Sequence, residues 1–208
     1  MKPDLELMND KNWDVRWSVA KKINIEHLPK MMNDEDSGVR CEVAIRIAIK
    51  HLPKMMKDEK SGVRYEVAKR IDPKYLPKMM KDEESGVRYE VAKRIGSEGG
   101  AFANEHLPKM MNDKYWEVRS EVAKRIEVEH LPKMMNDEDY SVRWEVARRI
   151  DPKYLPMIMN DKEPGICLVI AERIDPKFLG EMFGFDFDPE YQKGLIKVLA
   201  EREDLRRV

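Results

Sequence analysis

The chain has 208 residues, 38% of them charged, and its 39 Lys and Arg against 40 Asp and Glu leave a formal net charge of −1. Such a balance signals neither nucleic acid nor an acidic membrane as the bulk partner. Cys41 and Cys167 stand far apart without paired spacing, which argues against a disulfide framework or a structural zinc site.

No apolar run approaches the ~18 residues of a membrane span, and the charged start MKPDLELMNDK does not read as a signal peptide. A soluble chain in a reducing, cytoplasmic compartment is expected, with no membrane partner. The organising feature is self-similarity. Counted from the Leu of each Leu-Pro, restarts fall at Leu28, Leu52, Leu76, Leu107, Leu131 and Leu155, all 24 residues apart except one interval of 31. A fixed period in this range marks stacked supersecondary units. The expected fold is all-α: one solenoid domain over 1–208, made of about seven two-helix repeats.

Residues 4–27 form a degenerate first repeat that lacks the Leu-Pro start, as terminal repeats facing water tend to be. Residues 28–95 hold regular repeats. Within Leu52 to Tyr75, SGVRYEVAKRI reads as the longer helix, with Val63, Val67 and Ile71 on one stripe and Arg64 and Ala68 on its flank. Glu66 and Lys69 fall opposite, on what should be a solvated face. Glu66 and Arg70 are spaced for an ion pair four residues apart, as are Glu42/Arg46, Glu90/Arg94, Glu121/Arg125 and Glu145/Arg149. DPKYLPKMMKD carries two prolines, which predicts a tight turn and then a short helix begun by Pro77, with Leu76, Met79 and Met80 facing inward. Alternating a long and a short helix should curve the array.

The long interval arises from GSEGGAFANEH, residues 96–106, whose three glycines read as a flexible surface loop. No phosphate-binding glycine motif is present there. Regular repeats resume over 107–178. In the last, DKEPGICLVIAERI, the recurring Arg becomes Cys167 and the helix is apolar nearly all round, so something must cover it. Residues 179–208, with Phe183, Phe185 and Phe187 and an amphipathic stretch carrying Leu195, Val198 and Leu199, read as that cap. A dimer contact is the competing explanation.

With these residues laid out, the pattern D-x-x-x-V-R-x-x-V-A followed by Leu-Pro, as in Asp34/Val39/Arg40/Val43/Ala44 and Asp58/Val63/Arg64/Val67/Ala68, resembles the leucine-rich repeat variant family. It is also similar to HEAT-type solenoids in its Asp and Val-Arg positions. The resemblance covers nearly the whole chain up to Leu179. It implies a right-handed superhelix of alternating α- and 3₁₀-helices without sheet. A member of that family carries an iron–sulfur cluster on an N-terminal cysteine-rich part; this chain has no such cysteines, so no cofactor is expected.

Each recurring Arg flanks an apolar stripe and needs an acceptor, and the turn Asp six residues earlier, in its own unit or the next, is the natural one. Asp34, Arg40, Asp58, Arg64, Asp82, Arg88, Asp113, Arg119, Asp137 and Arg143 thus form a structural ladder, together with Asp10 and Arg16. A catalytic Asp would occur once, not in every unit. All four histidines, His27, His51, His106 and His130, precede the Leu in a slot also filled by Tyr75, Tyr154 and Phe178, so the slot wants a flat ring. Repeats ~10 Å apart do not let neighbouring slots share a metal ion. No nucleophile–base constellation appears, and no enzyme is expected.

Two slots vary where the core slots are monotonous. The slot after the ladder Arg holds Trp17, Cys41, Tyr65, Tyr89, Ser120 and Trp144; the slot that begins the helix holds Trp13, Ser37, Ser61, Ser85, Trp116 and Tyr140. Exposed rings in an array suit a protein-binding surface, and packing against the neighbouring helix is the plainer alternative. The candidate contacts are Trp13, Trp17, Tyr65, Tyr89, Trp116, Tyr140 and Trp144. Rows of lysine such as Lys30, Lys54, Lys78, Lys109 and Lys133 leave nucleic-acid backbone binding as a second reading, and a self-assembling spacer as a third.

Overall fold

The structure, a computed structural model, describes residues 3–182 and 189–202. The described residues form helices and turns and contain no strand. They fall into two compact units, Met1–Phe102 and Ala103–Val208. The division falls inside the stretch that breaks the 24-residue period.

In the first unit α1 (Pro3–Leu7), α2 (Trp13–Ala20), α3 (Ser37–Arg46), α4 (Ser61–Arg70) and α5 (Ser85–Glu98) alternate with 3₁₀-helices at Ile25–Met31, Ile49–Lys54 and Pro73–Met79. Helices α2 to α5 pack each upon the next. Helix α6 (Gly100–His106) runs across the division. The second unit continues with α7 (Trp116–Ala123), α8 (Tyr140–Arg149), α9 (Pro164–Ala171), α10 (Leu179–Met182) and α11 (Pro189–Glu201), and α7, α8 and α9 pack in sequence order.

One repeat shows why these residues fold so. The Asp58 carboxylate accepts the Lys60 backbone N–H at 2.9 Å, which tightens the turn before α4. Lys60 is the last extended residue, and Val63, Val67 and Ala68 then point inward and are buried. Ile71 ends the helix by turning extended, and Asp72 accepts the Lys74 N–H at 3.2 Å to start the next segment. Fully burying Val63, Val67, Ile71 or Leu76 contributes roughly 1.5–3 kcal/mol each before entropy is counted.

Two local expectations are corrected. The 3₁₀-helix Pro73–Met79 runs straight through Pro77 rather than starting there. Its φ range of about −50 to −70° suits the proline ring, and the missing N–H removes a single bond. Leu76 and Met79 are buried and Met80 only half-buried.

The second correction concerns residues 96–106, which are helical rather than a loop. Helix α5 continues to Glu98, and α6 begins at Gly100. Gly99 separates them at φ 68° and ψ −168°, a conformation essentially confined to glycine. The glycines concentrate the break at one point, and Ala101, Phe102 and Ala103 continue as helix.

At the end of the second unit α11 packs on α9 with Tyr191 and Leu195 buried and Val198 and Leu199 half-buried. Gly194 allows the approach, since a Cβ there would meet Leu168 Cδ1 at 3.0 Å. Phe183, Phe185 and Phe187, which the sequence assigns to the cap, lie outside the described residues.

Candidate interaction surfaces

What a repeat leaves free depends on what its polar groups already hold. Arg64 donates from Nε and Nη2 to Asp82 of the next repeat at 2.8 and 2.9 Å, and from Nη1 to the carbonyl of Asp58 in its own turn at 2.8 Å. Both sequence alternatives are therefore used at once: the neighbour's carboxylate and the home turn's backbone. Arg16–Asp34, Arg40–Asp58, Arg119–Asp137 and Arg143–Asp161 repeat the bidentate contact. Arg88 gives Nη1 to the carbonyls of Asp82 and Glu83, and Asp113 accepts the Tyr115 N–H. Asp161 extends the ladder one rung beyond the residues that the sequence analysis assigns to it, at the position where the period places the next Asp.

Burial pushes the Asp34 and Asp58 carboxyls up, but the Arg16 and Arg40 guanidiniums and the backbone donors of Asp36 and Lys60 outweigh it and hold both below the ordinary carboxylate range. The ladder ends at Cys167, whose Sγ lies 3.1 Å from the Asp161 carbonyl, the acceptor that a guanidinium takes elsewhere.

A second arginine row was not legible as such. Arg70 donates to the carbonyls of Ala44 and Ile47, at 2.6 and 2.8 Å, at the end of the preceding α-helix. Arg46, Arg94, Arg149 and Arg173 make the corresponding bonds. Arg202, following α11, does so for Ala171 and Ile174. These are orphan carbonyls of helix ends, which need donors. Of the five expected Glu–Arg pairs, Glu121–Arg125 forms, at 2.6 Å, and the other four do not among the described residues. The others are corrected: the carbonyls outbid the glutamates. Its recurrence in every unit was the available signal.

The glutamate face is not solvated either. Glu90, Glu121 and Glu145 are buried, because neighbouring α-helices flank them, and Lys69, Lys93 and Lys124 lie over Glu66, Glu90 and Glu121 at 2.9, 3.4 and 3.7 Å. Beside this row, Trp17, Tyr65, Tyr89 and Trp144 are half-buried rather than largely exposed. Lys21, Lys69 and Arg148 sit over the rings of Trp17, Tyr65 and Trp144 at 4.0, 5.5 and 4.5 Å. This row packs.

The helix-start slot behaves differently. Trp13, Trp116 and Tyr140, each the first residue of its α-helix, are 52%, 43% and 60% exposed. Tyr115, beside Trp116, is exposed as well. Between successive turns lie open grooves of about 410 to 540 Å³ whose floors are the ladder. The ring slot holds half-buried His27, His51, His130, Tyr75, Tyr154 and Phe178, and buried His106. Among the described residues no group of three His, Cys, Asp or Glu is placed to hold a metal ion, and no helix is long and apolar enough to cross a membrane.

No protein-family model matches the chain, and no curated protein sequence does. Solved structures do. A leucine-rich repeat variant with a novel repetitive structural motif superposes with a TM-score of 0.83 at 29% identity, over 94% of this chain and 80% of that one. The E. coli protein YibA superposes with a TM-score of 0.57 at 19% identity, over 96% and 92%, a likeness of fold alone. Stacked α- and 3₁₀-helices in sequence order, the ladder between repeats and the superposition together identify the chain as a helical repeat protein with the leucine-rich repeat variant fold.

Proposed function

We propose that the chain is a non-enzymatic protein-interaction module. The observation that carries this reading is the split between its two variable slots: rings after the ladder Arg are half-buried, whereas Trp13, Trp116 and Tyr140 stand out at the helix starts. Large rings on a rigid scaffold give contact area at little entropic cost, which is what interaction hot spots use. Free Cys41 and Cys167 suit a reducing compartment such as the cytoplasm.

The test is affinity capture from cell extract with the wild type and a Trp13→Ala/Trp116→Ala/Tyr140→Ala variant, with and without nuclease. A protein retained by the wild type after nuclease and lost by the variant supports the reading. A second reading rests on Lys30, Lys54, Lys57 and Lys81, which enter no ion pair among the described residues. Capture that vanishes with nuclease and falls steeply with salt would move nucleic acid into first place.

A further inference from the structure

Five turns of the ladder are completed in one way. Asp34, Asp58, Asp82, Asp137 and Asp161 each take a bidentate guanidinium from an α-helix whose Arg stands 18 residues earlier. Each also accepts the backbone N–H two residues on, at 2.9 to 3.0 Å, which orients the carboxylate for that contact.

The Asp10 turn is built alike. Asp10 accepts the Asn12 N–H at 2.8 Å, and its carbonyl takes Arg16 Nη1 at 2.8 Å. Its own N–H donates to the Leu7 carbonyl at 3.2 Å, as that of Asp34 does to Met31. Yet Asp10 enters no ion pair among the described residues, and α1, which leads into the turn, carries no arginine. The apolar neighbours differ in the same sense. Leu7 is 38% exposed in the slot where Met31, Met55, Met79, Met110 and Met134 are 2–3% exposed, and Leu5 is exposed beside it. Leu5, Met8 and Asp10 line one open groove.

The other charges of this groove do not bar a guanidinium. Arg16 already holds Asp34 and Glu35. Lys30 on the rim has counterparts in Lys54 and Lys78, beside turns that are complete. Lys11 stands where Glu35 or Glu59 braces other rungs, but Lys162 holds that place at the Asp161 turn, and Arg143 still binds Asp161 at 2.6 and 3.0 Å.

From this charge complementarity, and from continuity with the interface between repeats, we infer that the Asp10 turn docks an α-helix of a partner protein. That helix carries an arginine within an apolar stripe, in the spacing of the chain's own helices. Its guanidinium pairs with Asp10, and its apolar residues cover Leu5 and Leu7. A second copy stacked head to tail does not serve, because α9 has Cys167 in the Arg slot and is covered by α11. The inference stands apart from the exposed rings of Trp116 and Tyr140.

The first measurement is fluorescence anisotropy of the full chain with a labelled peptide copying residues 58–75, which hold α4 and Arg64. A second peptide carries Arg64→Gln. The chain is compared with Asp10→Asn, whose amide oxygen can still accept the Asn12 N–H, with Leu7→Ser and with Tyr140→Ala. An isolated helix of this length is marginal in water. The same segment is therefore also joined directly before Asp4, in place of residues 1–3, which sets its Arg 18 residues ahead of Asp10 as in every complete rung.

The expected result is binding of the first peptide, weakened about tenfold or more by Arg64→Gln, by Asp10→Asn and by Leu7→Ser but not by Tyr140→Ala. The joined chain should melt about 2–4 °C higher than the original, a gain that Asp10→Asn removes. A joined chain that gains nothing overturns the inference, as does binding or a gain that survives Asp10→Asn. Self-association of the full chain that Asp10→Asn abolishes gives the site to a second copy and overturns it too.

Discussion

The two units run the same scaffold with opposite finish. In the first, consecutive repeats are near copies: Ser61 and Ser85 open their helices, lysines rim the grooves, and the ladder passes from Arg16 to Asp34, Arg40 to Asp58 and Arg64 to Asp82. In the second, the same ladder positions are kept at Arg119–Asp137 and Arg143–Asp161, yet the helix starts become Trp116 and Tyr140, and a lysine becomes Met157. The last repeat gives up the guanidinium for Cys167 and is covered by α11. Before that last repeat, the changes at Trp116, Tyr140 and Met157 fall on exposed positions that the ladder does not use.

The largest expected effect breaks the ladder where it is complete. Arg64→Ala leaves the Asp82 carboxylate buried without its guanidinium and strips the Asp58 carbonyl of its donor. A loss of about 3–5 kcal/mol in denaturant unfolding is expected. Cys167→Ala, which removes a thiol's contacts to the Asp161 carbonyl and to Tyr191 but no buried charge, should cost about 1–2 kcal/mol. Equal losses would mean that the ladder is not what holds successive repeats together.

Titration sharpens the comparison further. Asp34 and Asp58 are depressed below their ordinary 3.8, so the unfolded chain binds more protons near that pH. Their stabilisation is present above the ordinary value and lost as pH falls through the folded one. At the other end of the chain, burial pushes Cys167 from 9.0 up to about 11 and Tyr191 from 10.0 up to about 12. A raised value contributes stability below the unfolded pKa and loses it as pH rises through the folded one. The α11 cap should therefore loosen in alkali. Near-ultraviolet circular dichroism should change above pH 9, and the change should shrink in Tyr191→Phe. A change of the same size in Tyr191→Phe would contradict this assignment.

The smallest effect runs the other way. A Cβ at Gly62 or Gly86 meets nothing within 4 Å, and both lie inside helices, so Gly62→Ala should stabilise by about 0.4–1 kcal/mol. Gly38→Ala should gain less, because its Cβ would lie 3.0 Å from the Asp36 carboxylate that caps α3. Thermal melts of the two variants separate these outcomes.

The repeat period alone determined the helical class, the inward stripe of Val63, Val67 and Ile71, and which Arg and Asp recur, because every unit must bury the same apolar face and satisfy the same turn. Tertiary structure decided the rest. Which acceptor Arg70 takes depends on carbonyls 23 and 26 residues earlier, brought near only by stacking, and no local spacing rule contains them. The same stacking buries Glu90 and Glu121, which a single helix would leave in water, and half-buries Tyr65 and Trp144. Trp116 and Tyr140 stay exposed because the first residue of a helix projects past the edge of its neighbours, where no next repeat arrives to cover it.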